Sequence, residues 1–361
     1  MYGFSRALRH AARTLFILFL VLVLLVGGYL LYLLLDYSRI PDDLPLSVDR
    51  STDRVMETGV SYRALTYNIG FGAYSPDFTF FMDGGTESRA RSRDSVLSLT
   101  GGALSVLTAE DADLYLLQEV DTDSDRSYHV NQQVLIGAAM PAYGAVYAEN
   151  YHSSYLFYPF TEPHGASRSG ILTLSRFAVS AARRRSLPIS ESLTRFLDLD
   201  RCYSVTRIPV AGGRELLVYN IHSSAYGGDP EIRTAQLTML LGDMKREYDA
   251  GNYCLAGGDF NHDFTGDSTV LFNGAATDYG WALPFPTELL PEGITRAIAE
   301  EGTPIPTCRN CDVPYSPDSF TVIVDGFLTS ANIAVEAVDV VDTGFAFSDH
   351  NPVRLTFTLL P

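Results

Sequence analysis

Hydrophobic and polar positions divide this 361-residue chain into two unequal parts. Thr14 to Leu35 reads TLFILFLVLVLLVGGYLLYLLL, an apolar run without a single charge. A helix of that length, rising about 1.5 Å per residue, spans a hydrocarbon core of roughly 30 Å. A cleaved signal peptide fits less well, because the run is too long and no small-residue cleavage site follows it. After Leu35 the apolar residues come in shorter bursts. YRALTYNIG reads as a strand running into a glycine turn, and 113–119 as a buried strand. SGILTLS, CYSVTRIPV, RELLVYNIH and NYCLAGGDF read as further strands, the middle two joined by a hairpin at Gly212–Gly213. FTVIVDGFL, IAVEAVDVV and VRLTFTL add three more near the C-terminus, after a Pro-rich, loop-like stretch over 284–318. Two regions carry a helical pattern. One precedes Asp113 and is interrupted near Gly101 and Gly102. In the other, Leu237, Leu240, Leu241 and Met244 repeat at i, i+3, i+4, i+7, with Asp229 as N-cap and Pro230 in the first turn. Many strands with interspersed helices predict one mixed α/β domain over 60–361.

Charge orients the two parts. Arg6, Arg9 and Arg13 precede the apolar run, and Asp36, Asp42 and Asp43 follow it. Positive flanks stay on the cytoplasmic side. The expected organisation is a cytoplasmic N-terminus (1–13), a transmembrane helix (14–35), a juxtamembrane linker (36–59, with Pro41 and Pro45) and an exterior domain (60–361) in a single-pass cell-membrane protein. Net charge is −17, and three arginines without an acid in 1–35 leave −20 on the remainder. A domain this acidic has no broad attraction for polyanions. Arg89, Arg91, Arg93 and Arg183–Arg185 could make a basic patch, but they read more simply as a solvated helix face and a loop. Four cysteines in a chain this long exclude a disulfide scaffold. Cys254 reads as a core residue; Cys308 and Cys311 in CRNC, on the exterior side, are expected to form a small loop disulfide.

Candidate chemistry gathers where strands end. Asn68 (TYNIG), Glu119 (LQEVD), His222 (NIHS), Asp259 and Asn261 (GGDFN) and Asp325 (IVDGF) each close an apolar run, and Asp349 and His350 (SDHNPV) precede the last one. A single polar residue after a strand is usually a turn former; six groups in such positions are not explained that way. Glu119, Asn68 and Asp349 offer hard oxygen ligands suited to Mg²⁺ or Mn²⁺. Asp259 is suited to align and deprotonate a water, and His350, its ring fixed by Asp325, to bond phosphoryl oxygens. Neither HExxH nor GxSxG occurs, which disfavours tetrahedral zinc and a serine nucleophile.

These motifs, in this order over about 65–353, resemble the endonuclease/exonuclease/phosphatase superfamily, which includes deoxyribonuclease I, apurinic endonucleases, sphingomyelinases and inositol-polyphosphate 5-phosphatases. The resemblance implies a four-layer αββα sandwich of two mixed sheets with the active site at one edge. It implies that Glu119 binds the divalent metal with Asn68 and Asp349 beside it, that Asp259 orients the attacking water, and that Asn261 bonds the scissile phosphate or holds Asp259. His350 would contact the phosphate and Asp325 would orient His350. His222 would protonate the leaving oxygen; apurinic endonucleases use Tyr there, which argues against that subgroup. His262 and Asp263 have no counterpart and read as loop polar residues. The expected activity is metal-dependent phosphoester hydrolysis, on a lipid or small phosphoester in preference to nucleic acid, with no protein partner implied. A surface-tethered nuclease and a catalytically inactive exterior binding domain are the alternatives.

Overall fold

The computed structural model describes residues 2–50, 52–190, 200–225, 230–273, 280–298 and 304–361. The chain separates into two units, Met1–Arg39 and Ile40–Pro361. The first is a single helix, α1 (Tyr2–Asp36), long and apolar enough to cross a membrane. It starts upstream of the apolar run because Ala7, Leu8, Ala11, Ala12 and the neighbouring arginines are all strong helix formers.

In chain order the second unit contains β1 (Leu44–Pro45), β2 (Val48–Asp49), β3 (Ser61–Asn68), α2 (Arg93–Glu110), β4 (Leu114–Asp121), α3 (Gln132–Ala139), β5 (Gly144–Leu156), β6 (Gly165–Ser175), β7 (Ala181–Ser186), β8 (Cys202–Pro209) and β9 (Glu215–His222). It continues with α4 (Pro230–Asp249), β10 (Tyr253–Asp259), α5 (Ser268–Asn273), β11 (Ile294–Ala297), β12 (Cys308–Arg309), β13 (Thr321–Val322), β14 (Asp325–Ser330), β15 (Ile333–Val340) and β16 (Val353–Leu359). Two seven-stranded sheets result, ordered β1-β7-β8-β9-β10-β14-β11 and β15-β16-β3-β4-β6-β5-β2. Both are mixed: β3–β4 and β9–β10 are parallel, and the other pairs are antiparallel.

Alternation within each strand builds the layers. Ala64, Leu114, Leu116 and Leu355 of one sheet meet Leu216, Val218, Leu255 and Phe327 of the other in a shared core. The opposite faces take the helices. Leu237, Leu240, Leu241 and Met244 of α4 cover Tyr219, Cys254 and Ala256. Ala103 and Leu107 of α2 and Ile136 of α3 cover Leu65, Tyr67, Tyr115 and Leu117. Strands buried on both faces read as continuous apolar runs, which is why YLL in β4 shows no alternation. This is the expected four-layer αββα sandwich. Asp229, the expected cap of α4, lies outside the described residues; the helix does begin at Pro230.

Four expectations change. From Ile40 the segment 36–59 is part of the domain, not a linker. Leu44–Pro45 pairs with β7, Val48–Asp49 pairs with β5, and Met56 is buried in the inter-sheet core. Proline is tolerated there because the strand is an edge. Second, α2 is unbroken from Arg93 to Glu110, capped by Ser92, whose Oγ accepts from Ser95 N at 3.0 Å. Gly102 serves packing rather than interruption: a Cβ there would fall 2.1 Å from the Phe347 ring. Third, Arg183–Arg185 form strand β7, not a loop, and Arg184 is buried, donating to the carbonyls of Glu149 and Asp200 at 2.9 and 2.5 Å. Fourth, Cys308 and Cys311 are free thiols. Their sulfurs approach the same Arg309 carbonyl oxygen, at 3.5 and 3.8 Å, without a bond between them, while Cys308 packs with Phe320 and Val322 and Cys311 with Phe71 and Phe78. FTVIVDGFL also divides, into β13 and β14.

Candidate active site

Strand register assembles the site. Asp259 ends β10, opposite His222 of parallel β9 and Asp325 of antiparallel β14. One rung of one sheet thus carries three of the expected residues. Gly258 permits it: a Cβ there would lie 2.0 Å from the Ile221 carbonyl oxygen, so only glycine lets β9 and β10 close at this point. The other sheet supplies Asn68 from the end of β3 and Glu119 from β4. Glu119 sits in an irregularity of the β4–β6 pairing between Leu117 and Val120, with φ of 54°. Such a bulge re-aims a side chain, and strain of this kind persists where the surroundings over-determine it. The loop before β16 brings Asp349 and His350. Phe347, seated over Gly102, anchors that loop on α2, and Ser348 Oγ donates to the Asn68 carbonyl at 2.7 Å. Behind the site Gln118 Nε2 donates to Asn220 Oδ1 at 2.8 Å, a polar tie between the sheets.

All eight expected residues line or back one cavity, and their contacts are mutual. Asn68 Nδ2 donates to Asp259 Oδ2 at 3.1 Å and to Glu119 Oε1 at 3.3 Å, while its Oδ1 accepts from Gly70 N at 3.0 Å. Its oxygen thus accepts from the backbone and its nitrogen faces the carboxylates, so Asn68 bridges the two acids. His350 Nδ1 meets Asp325 Oδ2 at 2.8 Å. His222 Nε2 and His350 Nε2 lie 3.5 and 3.8 Å from Asp259 Oδ2. Asn261, at φ 49°, donates its backbone N–H to Asp259 Oδ1 at 2.9 Å and its Nδ2 to the Ser223 carbonyl at 3.0 Å. His262 and Asp263 have structural tasks. His262 Nδ1 pairs with the Phe260 carbonyl at 2.7 Å, and Asp263 accepts from the N–H groups of Gly266 and Ser268, both at 2.9 Å, ordering the entry to α5.

Burial sets the electrostatics. It raises Asp259 to about 7, opposed by His350 and reinforced by Asp325. Burial also raises Glu119; Arg126 opposes that shift and Asp349 adds to it. Burial pushes His222 well below its ordinary value, helped by the positive charges of Arg201, His350 and Arg126. Burial opposes the charged form of His350 as well, but Asp325 and Asp349 prevail and carry its pKa well above the ordinary value. The site therefore holds a neutral imidazole and an imidazolium on either side of one carboxylate. Two sets of groups could take a cation. Asp259, Asp325 and His350 bring ligand atoms within 4.8 Å of one another, but the hydrogen bond between His350 and Asp325 accounts for that closeness. Glu119 and Asp349 fit a hard divalent ion better, since they are two half-buried acids whose mutual repulsion a cation would relieve.

The sequence profile of the endonuclease/exonuclease/phosphatase family matches residues 65–350, from β3 through His350. The chain belongs to this family. Its activity class is accordingly phosphoester hydrolysis. Solved structures agree on the fold. A family member from Beutenbergia cavernae is 18% identical, with a TM-score of 0.56 over 83% of this chain and 72% of that one. ANGEL2, a 2',3'-cyclic phosphatase solved with adenosine-2',3'-vanadate, is 15% identical, with a TM-score of 0.55 over 87% of this chain and 98% of its own. A humanized TDP2 from D. rerio is 12% identical, with a TM-score of 0.53 over 82% and 99%. A search of the curated proteins finds no match.

The family motifs leave out much of the cavity lining. Arg126, Asn150, Tyr151, His164, Ser169, Arg201 and Trp281 also face it. Arg126 follows an acid-rich stretch, DTDSD, which reads as a solvated loop; burial of the guanidinium against Asp121 is a tertiary fact that no local pattern announces.

Proposed function

We propose that this chain is a divalent-metal-dependent phosphoesterase acting on a lipid or small phosphoester at the outer face of the membrane that α1 crosses. The observation that carries the proposal is Asp259, held between Asn68, His222 and His350 with Asp325 behind the last. In this reading Asp259, with its pKa near neutral, takes the proton of the attacking water. Protonated His350 and the Asn261 amide bond the phosphoryl oxygens as charge builds there. His222, neutral in the resting site, takes a proton from solvent when an anionic ester enters and passes it to the leaving oxygen, while the attacking water's proton stays with Asp259 until it is released to solvent. Glu119 and Asp349 hold Mg²⁺ or Mn²⁺, which supplies charge neutralisation of the phosphoryl group when bound. The presence of the full set argues against an inactive binding domain.

Surface charge supports a small substrate over long nucleic acid. Arg89 pairs with Glu162, Arg91 with Asp77 and Glu87, Arg183 with Asp43, and Arg185 with Asp42 and Asp243, so four of the six arginines in the sequence's two basic clusters are matched by acids. Arg6, Arg9 and Arg13 before the apolar run and Asp36, Asp42 and Asp43 after it support the exterior placement. The deciding assay uses the full chain in detergent with Mg²⁺ against DNA, phospholipids, inositol phosphates and cyclic nucleotides. If kcat/KM for duplex or single-stranded DNA exceeds that for every lipid and small ester, the substrate reading fails and the chain is a tethered nuclease.

A further inference from the structure

The hairpin between β5 and β6 carries an apolar surface that the catalytic residues do not use. It reads FYPF at 157–160, and Phe157, Tyr158 and Phe160 are 50%, 62% and 83% exposed. Single exposed apolar side chains are ordinary; three aromatics within four residues at one tip are not. The tip is held in place from below. Glu162 N donates to the Pro159 carbonyl at 3.2 Å, and His164 N to that of Tyr158 at 3.3 Å. Ser88 Oγ donates to the Glu162 carbonyl, and His164 Nδ1 meets the Ser88 carbonyl at 2.7 Å. Phe81 stacks its ring 5.8 Å from Tyr158 and 6.1 Å from His164, and buried His164 also lines the catalytic cavity. The exposed rings therefore keep a fixed place relative to that cavity.

Strand register puts this tip and the chain's entry to the domain on one edge. Asp121, two residues beyond Glu119, pairs with Ser169, and Ser169 pairs with Tyr151, so β5 runs out past the catalytic edge before it turns. Strand β8 begins on the same edge, since Tyr203 faces Ile221, the neighbour of His222. Just before β8, Asp200 Oδ1 accepts from Ile40 N at 2.8 Å, and its Oδ2 lies 3.9 Å from His152 Nδ1 of β5. Residues 37–39 alone separate α1 from Ile40, a reach of at most ~14 Å. We infer that Tyr158 and Phe160 dock into the headgroup region of the bilayer that α1 crosses, so that the catalytic edge of the domain faces the lipid surface. The inference rests on the membrane-spanning reading of α1 and adds which side of the domain meets the bilayer. The chemistry fits that boundary. A phenol and a phenyl ring suit the zone between acyl chains and headgroups, and residues 153–161 carry no charge that would have to be desolvated. A short tether keeps this edge at high effective concentration against lipid, which a soluble protein partner would have to displace.

Site-directed fluorescence tests this with the full chain in phosphatidylcholine nanodiscs. The native cysteines are all buried, so one introduced at the surface takes a thiol-reactive fluorophore selectively. Phe160→Cys reports the tip. Ala331→Cys, exposed just beyond the end of β14 remote from Asp325, reports the opposite edge. Val23→Cys reports the middle of α1. For rings seated about 5–10 Å into the interface, phosphatidylcholine spin-labelled near its headgroup should quench the Phe160→Cys fluorophore about twofold or more beyond the Ala331→Cys one. Iodide in the buffer should show the reverse order. Tyr158→Ser in the Phe160→Cys chain should weaken the lipid quenching. Equal lipid quenching of the two edges overturns the inference, and a Val23→Cys fluorophore quenched by a deep acyl-chain spin label then leaves the span intact. Lipid quenching untouched by Tyr158→Ser overturns it too, because the tether and not the rings would hold the edge to the lipid. If the Val23→Cys fluorophore resists the deep label and iodide reaches it, the span fails and the inference with it.

Discussion

On one part of the cavity lining, Asn68, Asp259, Asp325 and His350 bond chiefly to one another; on another, Asn150 Nδ2 and Ser169 Oγ have no hydrogen bond among the described residues. The first part is preorganised. Its groups are held by strand register and by mutual hydrogen bonds, so little needs to rearrange when charge develops on a substrate. Its exceptions, His222 Nδ1 and Asp325 Oδ1, are single atoms of side chains otherwise engaged. The second part keeps its donors unspent at a cost in stability. A self-satisfied cluster is expected to dominate turnover, and an unsatisfied one to tolerate the loss of a donor.

The sharpest break of that contrast is on the preorganised side. Excess EDTA should abolish hydrolysis and Mg²⁺ or Mn²⁺ should restore it. Asp259→Asn should lower kcat by about 10²- to 10⁴-fold, the range for losing a positioned proton acceptor. Circular dichroism should remain native, because an amide fits the same space. Full activity in EDTA, or near-normal turnover of the variant, would remove Asp259 and the metal from the mechanism.

Arg126 joins the two parts, and its loss is expected to be felt in stability. Arg126→Gln leaves Asp121, fully buried, with Ser127 Oγ at 2.8 Å in place of a bidentate guanidinium. Breaking a buried pair from one side costs roughly 3–5 kcal/mol. Urea denaturation should show it; a loss under about 1 kcal/mol would mean that the pair is solvated.

Gly102→Ala probes the seat of the His350 loop from α2. A methyl group 2.1 Å from the Phe347 ring cannot be accommodated without movement. Overpacking of this kind costs about 1–3 kcal/mol. Activity should fall more than helix propensity alone would suggest, since Phe347 is three residues from His350. A stabilised, fully active variant would show that the loop is held elsewhere.

How much of this was legible beforehand divides along the same line. The preorganised residues end apolar strands, and a polar residue at the end of a buried run stands out locally. Glu119, Asp259 and His350 were therefore visible, and so were the strands that carry them. The residues of the second part were not. Arg126 lies in an acidic loop, and Asn150 and Ser169 sit mid-strand in β5 and β6, where a polar residue reads as a solvent-facing position. Their burial comes from the fold closing around them. The same limit explains 36–59: Pro41, Pro45 and six acids spell a linker, and only the edges of the two sheets turn part of it into strands. Asn68 lies beside Glu119 and Asp259 as expected, but residue type does not reveal which end of an amide faces the acids; here it is Nδ2.

The smallest expected effect is the most diagnostic of the contrast. Ser169 Oγ is buried and unpartnered on β6, beside the guanidinium of Arg126. Removing a buried hydroxyl normally sacrifices a hydrogen bond; here there is none to sacrifice, and the desolvation cost of an unpaired hydroxyl, about 1–3 kcal/mol, is relieved. The small void left by one oxygen offsets part of that gain. Ser169→Ala should therefore be neutral or more stable by up to about 1 kcal/mol, a shift at the edge of what denaturant midpoints resolve. The same exchange at Ser127, whose Oγ donates to Asp121 at 2.8 Å, should destabilise. If Ser169→Ala destabilises as much as Ser127→Ala does, Ser169 has a partner in solution, and that part of the lining is as satisfied as the first.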